Sequence, residues 1–145
     1  IYPLKAHENI LVFCNGVHLY NPQKTQGKPF NKGHRKQGNA SGTYGTFETY
    51  LIENKSGERL PRTVIKFNTA SGGYTKRKSY HPTEKPVPLL EYMIKTYTNE
   101  GMTVLDNVMG SGSTMVACKH TNRKGIGIEK EKKYFDIAVE RVENE

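Results

Sequence analysis

An α/β fold, with parallel strands beneath helices and a long irregular insertion ahead of them, is what this sequence predicts. Three observations carry that expectation. Over residues 81–142 the pattern runs helix, strand, helix, strand, helix, the order of a parallel α/β layer. A glycine turn, Gly110-Ser111-Gly112, separates the first of those strands from the helix behind it. Residues 21–80 show no sustained helical or strand period, and residues 16–80 hold nine of the 14 glycines.

The elements follow in order. His7 to Cys14 is an apolar run of strand length, and Asn15-Gly16 ahead of Val17-His18-Leu19-Tyr20 predicts a turn, so residues 1–20 are expected to form a strand hairpin of the sheet. Residues 21–80 read as an insertion with polar clusters and isolated aromatics, of which Arg62 to Phe67 is the one strand-like piece. An irregular stretch that long inside a compact domain points to function, here recognition of a partner. Residues 81–145 form the regular α/β part. Pro86 and Pro88 suit a first helical turn, with Leu89, Leu90, Met93, Ile94 and Tyr97 as the apolar stripe and Asn99-Glu100-Gly101 as the stop. Thr103 to Asp106 predicts a buried strand, Ser113 to Lys119 a helix, and Gly125 to Glu129 a second strand. Tyr134, Phe135, Ala138 and Val142 give the last helix its apolar face.

Charge is distributed unevenly along these parts. From Gly16 to Tyr80 there are 12 Lys/Arg against three acids, whereas from His81 to Glu145 nine Lys/Arg face 10 acids. The whole formal excess of +8 therefore lies in the middle zone, which favours contact with a polyanion, nucleic acid first, over a merely solvated face. An apolar fraction of 34% and a mean hydropathy of −0.73 are low for a free-standing domain, so much surface is expected to be exposed or covered by a partner. The chain opens on Ile1 rather than Met, as expected of a segment of something longer. No apolar run approaches the ~20 residues of a bilayer span, and no secretory signal is visible. Cys14 and Cys118 are too few for a disulfide framework, so a reducing cytoplasm is expected, with Cys118 a core residue. His7, His18, His34 and His120 lack metal-ligand spacing, and no metal is expected.

The sharpest chemistry lies in Asp106-Asn107-Val108-Met109-Gly110-Ser111-Gly112-Ser113-Thr114, between a strand and a helix. Two glycines let the backbone turn sharply and approach a ligand. A phosphate-binding loop would need a lysine before the Ser/Thr, and a dinucleotide turn would want a third glycine where Met115 stands. Taken alone, Gly-Ser-Gly fits a plain strand–turn–helix link equally well. Glu129, 17 residues after Gly112 and at the end of the next strand, adds an acceptor where ribose hydroxyls would lie. The pair indicates an adenosine-containing ligand without a tightly cradled pyrophosphate, and S-adenosylmethionine meets that description.

His81-Pro82-Thr83-Glu84-Lys85-Pro86, then Val104-Leu105-Asp106 with Gly110 to Thr114, then Gly127-Ile128-Glu129 with Tyr134-Phe135, resembles bacterial and phage site-specific DNA adenine methyltransferases. The resemblance is to the group whose catalytic motif precedes the recognition region and whose cofactor motifs come last. It runs from about His7 to Val142, is specific over His81–Val142, and corresponds to that family's C-terminal half. It implies a partial Rossmann-like methyltransferase fold, S-adenosylmethionine as methyl donor, and double-stranded DNA as substrate. It further implies that Asp106, Gly110, Ser111 and Gly112 line the cofactor, and that Ser113 and Thr114 open a helix whose N–H groups favour a carboxylate. Glu129 would bind the ribose hydroxyls. His81, Lys85 and Pro86 would close over the methionine moiety, Lys85 pairing with its carboxylate. Two departures stand out. Asn107-Val108 replaces the family's Pro-Phe, removing an aromatic contact to the cofactor. The Asp/Asn-Pro-Pro-Tyr/Phe string that receives a flipped base is absent from all 145 residues, and Asn21-Pro22-Gln23-Lys24 reads as a turn into the recognition zone.

The expected function is S-adenosylmethionine-dependent methylation of an exocyclic base amine, adenine on the resemblance, with this chain supplying cofactor binding and recognition while the catalytic residue stays unknown. The expected partners are double-stranded DNA and the missing catalytic part or a second copy, paired through an exposed sheet edge. No membrane is involved, and the compartment is the cytoplasm of a bacterium or phage-infected host. The alternatives are a non-catalytic DNA-binding module derived from such an enzyme, and a methyltransferase acting on RNA or protein. Lys32, Arg35, Lys36, Arg62, Lys76, Arg77 and Lys78 are expected to meet phosphates, while most middle-zone aromatics anchor loops.

Overall fold

The computed structural model describes residues 8–35, 50–68 and 79–145. Residues 8–20, expected as a hairpin, bend at Asn15–Val17 but form no strand, because none of the described residues pairs with them. Leu11, Phe13 and Val17 are exposed there. An apolar run meets only half the requirement for a strand; the other half is a neighbour for its N–H and C=O groups.

Four short strands lie among the described residues of the middle zone. Strand β1 (Thr25–Gln26) pairs antiparallel with β4 (Glu58–Arg59), and β2 (Phe30–Arg35) with β3 (Tyr50–Asn54). The β2–β3 ladder slips between Asn31 and His34, where Gly33 takes a φ of +68° and a side-chain oxygen of Asn31 accepts its N–H at 2.7 Å. Arg62 to Phe67, the expected strand, bends at Thr63–Val64 and pairs with nothing described. Its Phe67 instead stands edge-on to Tyr92 at 5.8 Å, an anchor onto the helical part.

Helix α1 (Val87–Tyr97) starts where the sequence places it. Pro86 is extended ahead of the first turn and Pro88 sits within it, where a missing N–H forfeits no helical bond. Asn21 closes the other end. Its backbone N–H donates to Thr96 O at 2.7 Å, and its carboxamide donates to Lys95 O and Thr98 O at 3.2 and 3.1 Å. Those are terminal carbonyls with no partner inside the helix. Strand β5 (Thr103–Asp106) runs parallel to β6 (Lys124–Gly127) in register from Thr103↔Lys124 to Asp106↔Gly127. Helix α2 (Ser113–His120) connects them, and α3 (Lys132–Asn144) follows. Ile94, Val116, Ala117, Cys118 and Ala138 form the buried apolar core, with Val104 packed against its α1–α2 part. The expected burial of β5 is not met: none of its residues is buried, and Val104 is only partly covered by that core. Leu105, pointing the other way, is 62% exposed because, among the described residues, the helices cover a single side of the pair.

Among the described residues no helix is long and apolar enough to cross a membrane, and no cluster of His, Cys, Asp and Glu could hold a metal ion. Cys118 is 1% exposed, and burial, helped by the nearby Asp106 charge, pushes its thiol pKa up. Cys14 is exposed. Iodoacetamide at pH 8 is therefore expected to alkylate Cys14 on the order of 100-fold faster than Cys118, with the difference vanishing in denaturant. Peptide mass spectrometry over a time course reads both rates, and equal rates in the folded chain would contradict the burial of Cys118.

Candidate cofactor site and basic face

The second strand, expected to run from Gly125 to Glu129, ends at Gly127, and because β5 and β6 are parallel and in register, Asp106 and Glu129, two residues beyond β6, still come to the same end of the pair. Both carboxylates are tied to the glycine loop. Asp106 Oδ1 accepts Val108 N–H at 3.1 Å, and its Oδ2 accepts the Thr114 hydroxyl at 2.6 Å, which staples the strand end to the first turn of α2. Glu129 Oε2 accepts Gly110 N–H at 2.9 Å and its Oε1 accepts Glu131 N–H at 2.8 Å. Met109 N–H reaches Ile128 O at 3.0 Å. The Glu131 N–H holds the Glu129 carboxyl below the usual carboxylate range; burial opposes it, and the Gly110 and Lys130 N–H groups and the nearby His81 each add a smaller lowering effect. It is a carboxylate at neutral pH.

The loop is clamped from two sides. Gly110 has a φ of +55°, and a Cβ there would meet the His81 ring at 3.6 Å. The His81 ring stands edge-on to Tyr134 with centroids 4.3 Å apart. Thr83 donates its N–H to His81 Nδ1 at 3.2 Å, so Nδ1 is the acceptor and Nε2 carries the proton in the neutral ring. On the other side Gly112, at φ +81°, lies against α3, and a Cβ there would stand 2.7 Å from Ala138 Cβ.

The structure thus gathers His81, Asp106, Gly110 to Thr114 and Glu129 into one neighbourhood. Several side chains in it are committed to the fold. Ser111 and Ser113 are buried with their hydroxyls 3.3 Å from Arg141 Nη1, and the Thr114 hydroxyl is held by Asp106. What these three residues can offer a ligand is backbone N–H. Lys85 pairs with Glu8 at 2.8 Å on the surface, and Pro86 begins α1. Arg141, Glu84 and Tyr80 were not singled out by sequence. The available signal was the spacing Tyr134, Ala138, Arg141, which sets an arginine on the inward stripe of α3.

In the insertion, Phe30 has Arg59 over one ring contact at 4.6 Å and Lys32 at 5.4 Å, so cations gather around an aromatic. Arg59 also donates to Lys28 O at 2.8 Å. Arg62 is exposed and Arg35 ends β2. Lys36, Lys76, Arg77 and Lys78 lie outside the described residues.

Comparison with known proteins adds to this geometry. The family profile described as DNA methylase matches residues 2–140. Over 70 residues the chain is 49% identical to the type II methyltransferase M.HpaI of Haemophilus parainfluenzae, a stretch of 48% of this chain and 22% of that protein. It is 49% identical over 65 residues to the type II methyltransferase M2.DpnII of Streptococcus pneumoniae, covering 45% of this chain and 24% of the other. Among solved structures, that of the M1.HpyAVI–SAM complex is 49% identical over 45% of this chain and 33% of its own, with a TM-score of 0.42. The chain spans about a quarter of the length of these curated relatives.

Proposed function

Since the chain belongs to the DNA methylase family, whose profile covers residues 2–140, we propose that residues 81–145 hold S-adenosylmethionine and that residues 21–80 dock on double-stranded DNA. The methyl group is destined for an exocyclic base amine, that of adenine on the resemblance of the motifs. The observation that carries this proposal is the convergence on one glycine loop of Asp106, which ends β5, and Glu129, two residues past the end of the parallel β6.

The residues present fit that cofactor. The loop from Asn107 to Thr114 contains no lysine or arginine, so it lacks the side-chain cation of a phosphate cradle. Two carboxylates suit hydroxyl donors and a cationic sulfonium or ammonium group. The first turn of α2 presents N–H groups to a carboxylate. In this proposal Glu129 accepts from ribose hydroxyls while keeping the loop in place through Gly110, and His81 covers the loop. Bound there, S-adenosylmethionine would supply an electrophilic methyl on sulfur for transfer to a nitrogen nucleophile, which then loses a proton. The work takes place in the cytoplasm, where Cys14 and Cys118 stay thiols.

A second reading has one specific observation in its favour. Asn21, in the string nearest to a catalytic motif, spends its carboxamide on the end of α1. On that ground the chain binds cofactor and DNA, and the group that receives the amine's protons comes from elsewhere. The test is methyl transfer from labelled S-adenosylmethionine to unmethylated duplex DNA with nucleoside analysis, beside calorimetric binding of each ligand. Binding of both without transfer is expected of the chain alone. Labelled methyladenine would show that a catalytic element lies within these residues. Loss of both bindings would overturn the proposal.

Phosphate contact has its own signature. Neutralising Arg35 and Lys36 is expected to reduce the slope of log K against log salt by up to about 1.8, near 0.9 per phosphate contact. Fluorescence anisotropy on a short duplex at several salt concentrations measures it, and an unchanged slope would remove those two residues from the interface.

A further inference from the structure

Arg141 and Glu84 form an ion pair at 3.3 Å with side chains only 5% and 1% exposed. Stability alone does not account for it. Stripping water from two charges costs about as much as their attraction returns, and a packed apolar pair of similar volume would hold the fold as well. What such a pair supplies is direction, because a guanidinium presents its donors in a fixed plane.

One of those nitrogens, Nη1, makes the contacts both to the glycine loop and to Glu84, while Nε is buried without a hydrogen-bond partner among the described residues. Arg141 Nη1 donates to Ser111 O at 2.8 Å and lies 3.3 Å from the hydroxyls of Ser111 and Ser113, so it grips the glycine loop itself. Its guanidinium faces the Tyr80 ring at 4.7 Å, and its Nε lies 3.7 Å from Glu145 Oε1. Glu84 Oε1 meets Arg141, while Oε2 accepts the Ser79 hydroxyl at 3.0 Å and Tyr80 N–H at 2.9 Å. Glu84 N–H donates to His81 O at 3.1 Å, closing a turn that fixes His81 relative to Glu84. The His81 ring is the group that stands against Gly110.

We propose that Arg141, through Glu84, is a positioning residue for the cofactor loop: it holds the loop from Gly110 to Ser113 on one side and seats His81 against Gly110 on the other. This rests on the assignment of that loop to S-adenosylmethionine. Neither Arg141 nor Glu84 has to touch the cofactor; they set the shape of the loop that does.

The test uses two variants of the full chain. The paired replacement Arg141→Met with Glu84→Leu avoids stranding a buried charge, and Arg141→Lys keeps the charge but loses the fork. Circular dichroism and thermal melting establish that each is folded. The first readout, independent of any ligand, is hydrogen exchange at the Gly110 amide, expected to be at least about 10-fold faster in both variants. The second is the calorimetric Kd for S-adenosylmethionine, expected to rise about 10-fold, with no rescue by lysine. Duplex DNA binding is expected to stay at the wild-type level, since it belongs to the insertion. If Gly110 exchange stays at the wild-type rate in either folded variant, the pair is structural only and the proposal falls. If exchange accelerates while the wild-type chain binds no S-adenosylmethionine, the positioning of the loop stands and the cofactor assignment fails.

Discussion

Replacing Gly112 with alanine is expected to destabilise the α/β part by about 2–5 kcal/mol, a large share of the ~5–15 kcal/mol that typically separates folded from unfolded domains. Two costs combine. Gly112 has a φ of +81°, where a non-glycine residue carries strain of about 1–2 kcal/mol. Its new Cβ would also stand 2.7 Å from Ala138 Cβ and 2.9 Å from Ala138 Cα, on helix backbone that has to shift to make room. Overpacking of that kind costs about 1–3 kcal/mol. Gly101 provides the control. Its φ of +78° is nearly the same, yet nothing lies within 4 Å of the position its Cβ would take, so Gly101→Ala should show the strain alone. Urea denaturation of both variants separates the two costs. Equal losses would mean that α3 does not press on the glycine loop as described.

The close approach at Gly112 bears on how a Gly-x-Gly turn is read in a sequence. Two glycines after a strand invite a ligand-approach explanation for both. Here Gly110 lies beside His81 and donates its N–H to Glu129, while Gly112 is required by α3. The sequence distinguishes neither role, because each partner lies far along the chain.

The α/β part was legible for physical reasons. Its helices carry a 3–4 residue apolar spacing, α1 begins at prolines, and α2 begins just after a glycine of positive φ. The nearness of Asp106 and Glu129 was legible because parallel strands deliver their carboxyl ends to one edge, although β6 stops at Gly127 and Glu129 lies two residues past it rather than closing the strand as expected. The insertion was not legible. Strands of two residues such as Thr25–Gln26 and Glu58–Arg59 hold no apolar alternation to detect, and the slip at Gly33 breaks the period of β2. Residues 8–20 misled in the opposite sense, with apolar content but no pairing partner among the described residues. The cap by Asn21 and the ion pair of Arg141 with Glu84 are long-range contacts between polar residues; spacing sets Arg141 on the inward stripe of α3, but periodicity names no partner for it.

Removing the Glu129 carboxylate is expected to have the larger effect on ligand affinity. Under the proposed assignment, Glu129→Ala should raise the Kd for S-adenosylmethionine about 100-fold, since it removes the charged acceptor of the ribose hydroxyls. The same carboxylate accepts the Gly110 and Glu131 N–H groups, so its loss also frees the loop. Glu129→Gln keeps one acceptor oxygen of similar size and should cost about 10-fold. The pH dependence follows in sign from the depressed pKa. The folded value lies below the ordinary 4.5, so the Glu129 contribution is fully present above pH 4.5 and is lost only as pH falls through the lower, folded value. Affinity should therefore be flat between pH 6 and 8 as far as this group is concerned. Calorimetry of the three proteins across that range tests each step. Wild-type affinity in Glu129→Ala would remove the ribose assignment, leaving Glu129 as the tether of Gly110 alone.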